Sequence, residues 1–302
     1  MIYLIINRYK DLSIYYLMII TGEKIQNECD LYIGRLEDFR FNPFIRDQKN
    51  KQVAIDKVET YELLNKNINL IFCYTHILDI EKNKLIHILN LIKTPFCLIF
   101  HNSDVGFKQQ DMDLFKIKNL KKIFTQNLEI EPQENLIPIP IGIANKMWAH
   151  GNLTIWNIIL SNLNTITKNN NIFFNFSIGT NKTKRAKCYD VISKKGIENL
   201  PNRDYQSYLS LLSSYRFAIC PEGNGLDTHR FWECLYLKTI PICLKNPITT
   251  YYKQFFPIYL LDDWNDLDLN TLDKFYNDTL QDWEGNNYRD ILNFNYFIKI
   301  FA

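Results

Sequence analysis

The chain carries no CxxC pair, no hydrophobic stretch long enough to cross a bilayer and almost no net charge, and each absence narrows its chemistry. A formal charge of +2 over 302 residues leaves no basic excess to displace the counterions of a phosphate backbone, which argues against nucleic acid as a partner. The one dense basic run, Lys182–Lys187, reads as a solvated helix surface. Near the N-terminus, Ile2–Ile6 and Leu12–Ile20 are apolar, but both stop short of a signal-peptide core or a membrane span. The expectation is a cytoplasmic protein with no transmembrane segment, for which peripheral membrane contact stays open. The seven cysteines are an odd number with no paired spacing, and several lie inside apolar runs. That pattern suits reduced thiols in a reducing compartment. Also missing are a GxxxxGK[ST] loop, a zinc-ligand cluster and a GxSxG elbow, so kinase and serine-hydrolase chemistry has no foothold.

What the chain does have is length and alternation. At 302 residues with 46% hydrophobic content it can build two domains, each with its own core. Short β-branched or aromatic runs alternate with helical patterns, which predicts α/β architecture with mostly parallel sheets. Strands are expected at Tyr3–Ile6, Leu31–Gly34, Ile68–Tyr74, Phe96–His101, Lys122–Thr125 and Leu136–Ile139, with helices at Val58–Leu64 and Ile80–Leu91. In the latter, Leu85, Ile88, Leu89 and Ile92 form the apolar stripe. A stretch punctuated by proline and glycine, Pro138–Gly151, marks the expected junction between a domain of residues 1–150 and one of residues 151–302. The second series comprises strand Ile172–Ile178, helix Thr183–Lys194 stopped by Gly196, helix Tyr205–Leu212, strand Arg216–Cys220, helix Thr228–Leu237 and strand Ile240–Leu244. A last helical pattern lies near Leu269–Trp283, and the terminal helix is expected to pack back on the N-terminal domain.

The densest chemistry lies at Cys220–Leu244. A strand ending at Cys220 runs into Pro221-Glu222-Gly223-Asn224-Gly225, where two glycines permit positive φ and close approach of a ligand. Asp227 or Thr228 can cap the next helix, whose free N–H groups and positive dipole end suit a diphosphate. Arg230 and Glu233 share one helix face beside His229, opposite an expected core stripe of Phe231, Cys234 and Leu235. A guanidinium can take phosphate oxygens bidentately, and a carboxylate can accept ribose or sugar hydroxyls.

This segment, FAICPEGNGLDTHRFWECLYLKTIPICL, resembles the donor-domain signature of exostosin-like glycosyltransferases. It is most like a lineage in bacteria and large DNA viruses that also carries HNSD-like, PIPIG-x-AN-x-MW-x-HG and TN…R elements. Here these are His101-Asn102-Ser103-Asp104, Pro138–Gly151 and Thr180-Asn181…Arg185, so the resemblance covers roughly residues 70–250. One departure is Lys238-Thr239 at the helix-to-strand turn, where many relatives have glycine. The resemblance implies a GT-B fold, with two Rossmann-like domains facing a central cleft. It also implies an inverting transfer of sugar from a nucleoside-diphosphate sugar, UDP- or GDP-linked, to a hydroxyl of a glycan, lipid or protein. Asn181, Arg185, Asn224, Gly225, Asp227, His229, Arg230 and Glu233 would then bind donor. Asn145, Trp148 and His150 would lie at the cleft or hinge. A non-catalytic carbohydrate-binding descendant and a fucosyltransferase-like GDP-sugar enzyme are the alternatives.

An inverting transfer needs a base for the acceptor proton. His101 and Asp104, just past an apolar strand, are candidates, although His–Asn–Ser–Asp is also ordinary turn chemistry. Glu222, bordering the donor loop, is the rival. Trp232 reads as core before it reads as a sugar platform. The nominal DxD triplets Asp111-Met112-Asp113 and Asp266-Leu267-Asp268 come after no hydrophobic strand, so no cofactor and no essential metal is expected.

Overall fold

A computed structural model describes residues 18–43, 45–65, 67–285 and 291–301. The expected strand Tyr3–Ile6 lies outside them. Two compact units are present: one holds Thr21–Ile141 with residues 298–301, the other Gly142–Phe297 with residues 18–20. The division falls at Ile141/Gly142, ahead of residue 150, because the Gly142–Gly151 stretch packs within the second unit. A Cβ on Gly142 would lie 2.3 Å from the Ile20 carbonyl oxygen, and one on Gly151 would lie 2.0 Å from that of Asn145. Gly142 also holds φ +66, a left-handed conformation that costs a side chain free energy.

The first unit opens with helix α1 (Gly22–Glu28), strand β1 (Leu31–Gly34), helix α2 (Leu36–Phe41) and the three-residue strand β2 (Gln52–Ala54). It continues with β3 (Leu70–Tyr74), α3 (Lys82–Leu91), β4 (Phe96–His101), β5 (Leu120–Thr125) and β6 (Leu136–Pro138). All pairings are parallel, in the order β2-β1-β3-β4-β5-β6. Every residue of β1 and β3 is buried, as expected for strands covered on both faces. In α3, Leu85, Ile88 and Leu89 are buried and Ile92 joins them in the core, whereas Ile80 and Leu91 are exposed. The stretch Val58–Asn65 is a 3₁₀ helix rather than an α-helix. Phe301 packs edge-on against Phe124 of β5, with ring centroids 5.0 Å apart.

The second unit contains α4 (Leu153–Asn162), β7 (Asn170–Phe173), α5 (Lys182–Lys194), α6 (Tyr205–Ser213), β8 (Tyr215–Ile219) and α7 (His229–Tyr236). After these come β9 (Ile240–Leu244), α8 (Pro247–Tyr252), β10 (Tyr259–Leu261) and α9 (Leu272–Gly285), and then the start of α10 (Phe294–Phe301), whose residues 298–301 belong to the first unit. Its sheet is also wholly parallel, in the order β10-β9-β8-β7. Phe217, Ile219, Ile240 and Ile242 alternate inward from the two central strands onto Phe174, Cys188, Ile192 and Trp264. The α/β class with two parallel sheets is therefore realised. Among the described residues, no helix is long and apolar enough to cross a membrane.

Candidate functional site

The site is built on β8, whose carboxyl end passes through Cys220–Thr228 into α7. Positive φ among the described glycines occurs at Gly142 and Gly196 and not in this loop. The left-handed freedom that the sequence permits these glycines is not used, and the loop is held by its partners. Gly223 donates to the Gly225 carbonyl at 3.1 Å, and its own carbonyl accepts from Asn181 Nδ2 at 2.8 Å. Asn181 also caps α5, with Oδ1 accepting from Lys184 N at 3.2 Å. Arg185, one turn along, donates from Nε to the Glu222 carbonyl at 2.8 Å and from Nη1 to the Ser177 carbonyl at 2.9 Å. Its Nη2 abuts Gly223, 3.5 Å from where a Cβ would be, and has no hydrogen-bond partner among the described residues. Asn224 is exposed and Gly225 half-buried at the tip. The basic run that reads as solvated surface in the sequence therefore turns Arg185 toward the loop.

The expected two-faced α7 is corrected as well. Phe231 to Tyr236 are all buried, Glu233 included at 5% exposure. Glu233 Oε1 accepts from Tyr205 Oη at 2.9 Å, and Oε2 accepts from Tyr208 Oη at 2.5 Å. Trp156 Nε1 in turn donates to Tyr205 Oη at 3.0 Å. Both carboxylate oxygens thus serve phenols, which speaks against Glu233 as a receptor for ribose hydroxyls. Burial first, then the neighbouring Glu233 carboxylate, push both tyrosine hydroxyls well above their ordinary range, so they stay protonated donors.

Arg230 lies between this network and the loop side. Its guanidinium stacks over Tyr208 at 4.8 Å and Phe173 at 5.3 Å, donates from Nη1 to the Asn175 carbonyl at 2.6 Å and stands 3.8 Å from Glu233. Its Nε is buried without a hydrogen-bond partner. Burial first, then the charge of Arg230, lower the pKa of Arg185. Two guanidiniums that sense each other, with one edge of each tied to carbonyls, form a ready receptor for an anion.

Other expected residues divide. Asp227 is buried and accepts from Trp232 Nε1 at 2.8 Å, so it anchors a core indole rather than a ligand. Trp232 itself is fully buried against Tyr252. Thr228 is the N-cap residue of α7 but makes no side-chain cap bond. His229 donates from Nδ1 to the Gly142 carbonyl at 2.8 Å. His150 is exposed beside it, stacked on Trp148, which is 48% exposed. Asn145 is half-buried and turns the chain, its carbonyl accepting from Trp148 N.

The base candidates fare unequally. His101 is 0% exposed; its Nε2 donates to the Pro140 carbonyl at 2.9 Å, and its Nδ1 accepts from Asn102 N at 2.8 Å. An imidazole with both nitrogens engaged and no solvent face cannot take a substrate proton. Glu222 is ion-paired to Lys184 and accepts from Asn246 Nδ2 at 2.9 Å, so both of its carboxylate oxygens are engaged. Asp104 is exposed on the loop after β4. Both DxD triplets are spent locally: Asp111 and Asp113 pair with Lys82 at 3.0 and 2.7 Å, and Asp266 and Asp268 each accept from a backbone N–H of the turn beside them. Among the described residues, no three His, Cys, Asp or Glu side chains cluster to hold a metal.

Sequence reasoning missed Tyr205, Tyr208 and Lys168. The ammonium of Lys168 donates to the carbonyls of Ser213, Tyr215 and Leu237 and to Thr239 Oγ1, all at 2.9–3.1 Å. It thereby ties the C-terminal ends of α6 and α7 to β8. The Lys238 turn after α7 takes φ +54, the conformation a glycine would adopt without strain. Beneath the loop, Cys220 Sγ and Cys234 Sγ lie 3.6 Å apart, both buried.

No family model matches the chain. No curated protein matches it either. Among solved structures it is similar to a UDP-forming α,α-trehalose-phosphate synthase from Burkholderia xenovorans, with 9% identity over 86% of this chain and 79% of that one, at a TM-score of 0.41. A likeness that slight says nothing about substrate or mechanism.

Proposed function

We propose that the chain is an inverting, metal-independent glycosyltransferase of the GT-B type. It moves a sugar from a UDP- or GDP-linked donor to a hydroxyl of a glycan, lipid or protein acceptor. The observation that supports this most is the pair Arg185 and Arg230 beside the Glu222–Gly225 loop. Each has unclaimed N–H groups and, among the described residues, no carboxylate is set between them to neutralise both. A diphosphate supplies the missing negative charge. In the transfer, that charge grows on the departing diphosphate, where fixed guanidiniums stabilise it most. Glu233 keeps a positioning part: held by two tyrosines, it fixes Arg230. Asn224 and Gly225 offer polar contacts at the loop tip, and the exposed Trp148–His150 stack offers an aromatic face for a sugar ring.

The test is a thermal-shift panel of UDP-, GDP-, CMP- and dTDP-sugars. Stabilisation by one nucleotide class is expected, abolished in Arg185→Gln and retained with EDTA. No stabilisation by any donor would overturn the reading. Glycan binding without donor binding would bring forward a non-catalytic carbohydrate-binding protein.

A further inference from the structure

The Pro138–Gly151 stretch stands out in the sequence, yet the paired arginines of the second unit leave it without a task. From Gly142 onward it belongs to that same unit. Gly142 takes φ +66, and its carbonyl accepts from His229 Nδ1 at 2.8 Å. His229 opens α7 and directly precedes Arg230. Further along, Trp148 N donates to the Asn145 carbonyl and Gly151 N to the Trp148 carbonyl, both at 2.9 Å. Gly151 packs so closely that a Cβ would lie 2.0 Å from the Asn145 carbonyl oxygen. The segment is therefore wound into a tight turn and tethered to the first residue of the helix that bears Arg230.

This turn carries two side chains that begin a continuous aromatic wall, all of it within the second unit. Trp148 and His150 lie nearly parallel, with centroids 6.4 Å apart and planes 20° from each other. His150 meets Tyr205 edge-on at 6.2 Å, and Tyr205 stacks on Tyr208 at 5.9 Å. Tyr208 in turn lies under the Arg230 guanidinium at 4.8 Å. Exposure falls along the wall: Trp148 and His150 are exposed, Tyr205 and Tyr208 half-buried. Among the described residues, neither ring nitrogen of His150 nor the indole N–H of Trp148 has a hydrogen-bond partner.

A pyranose suits such a wall. Its C–H face packs on an indole, while its equatorial hydroxyls radiate in the ring plane toward an imidazole lying alongside. A hydroxyl both donates and accepts, so it matches His150 in either tautomer. We propose that Gly142–Gly151 is the sugar-specificity element of the donor site: Trp148 carries the transferred pyranose and His150 reads its hydroxyls. This rests on the glycosyltransferase reading above, since Arg185 and Arg230 must hold the diphosphate at the inner end of the wall.

The probes are UDP, GDP, UDP-glucose, UDP-galactose, UDP-N-acetylglucosamine, GDP-mannose and GDP-fucose, with affinities measured by calorimetry. For the preferred donor, the ratio of its affinity to that of its bare diphosphate is expected to fall about 10-fold in Trp148→Ala. A smaller fall is expected in His150→Ala, and both variants should bind the bare diphosphate as the wild type does. Trp148 is 48% exposed whereas Trp156, Trp232 and Trp264 are buried, so iodide should quench its fluorescence first, with Trp148→Phe as the control. The sugar nucleotide should shield it and the bare diphosphate should not. Full shielding by the bare diphosphate would put the nucleobase on the indole and overturn the sugar assignment. An unchanged affinity ratio in both variants would overturn it too, and either result leaves the transferase reading standing. A wild type that binds none of the seven overturns both.

Discussion

At the carboxyl end of β8 the ionic groups are Arg230 and Glu233, sunk among Tyr205, Tyr208 and Phe173 with their hydrogen bonds largely spoken for. At the carboxyl ends of β1 and β3 they are Asp38 and His76, one buried and one with a nitrogen still open. The first arrangement holds a cation still; the second leaves a proton acceptor available. A buried ion pair whose carboxylate is saturated contributes to function by holding its cation in place, and loss of that carboxylate should be felt as instability. An open dyad, with one member half-exposed, should be felt far less in stability.

Glu233→Ala is the strongest way to break that contrast. It strands two buried phenols and the Arg230 charge, and should cost about 3–5 kcal/mol in urea unfolding; Glu233→Gln, which keeps an acceptor, should cost clearly less. Gly142→Ala comes next. It forces a Cβ against the Ile20 carbonyl at positive φ and disturbs the carbonyl that His229 holds, so a loss of about 2 kcal/mol is expected from the same measurement. In the open dyad, Asp38→Asn should cost only about 1 kcal/mol at neutral pH. Burial pushes the Asp38 carboxyl up, but His76 and Arg35 outweigh it and hold it below the ordinary aspartate value. The stability this supplies is fully present above the unfolded-state pKa and is lost as pH falls through the lower folded-state pKa. Acid unfolding of Asp38→Asn should therefore lack that part of the slope. The smallest effect is a gain: Lys238→Gly relieves the left-handed residue after α7 and should add roughly 0.5 kcal/mol, the relief being partly offset by backbone entropy.

The strands Leu31–Gly34, Phe96–His101 and Ile240–Leu244 could be read to the residue, because each is a dense apolar run closed by a polar, glycine or basic residue. Strands β2 and β10 are three residues long, too short for any period to show. Helix α4 was hidden behind Pro138–Gly151, where punctuation reads as a junction although the helix begins directly after it at an Asn152 cap. The donor loop, Asn181, Arg185 and Arg230 were legible because strand, glycine loop and helix cap succeed one another locally. What covers Glu233 was not: the spacing of Arg230 and Glu233 defines a shared face, but the tyrosines that close it come from α6, 25 and 28 residues away. The Asp38–His76 contact spans 38 residues and depends on β1 and β3 being neighbours. No local pattern encodes that.

The thiols of Cys220 and Cys234 sit in contact under the donor loop, and burial, with Cys220 beside it, pushes the Cys234 thiol well up. Both are buried, so labelling by a thiol reagent should wait for the loop to open, and the pair should act as a clock. In excess reagent, the labelling rate reports how often the segment between β8 and α7 opens. A ligand that seats on this loop slows the clock by a factor of one plus the ratio of its free concentration to its Kd, which makes the chain its own binding sensor before its acceptor is known.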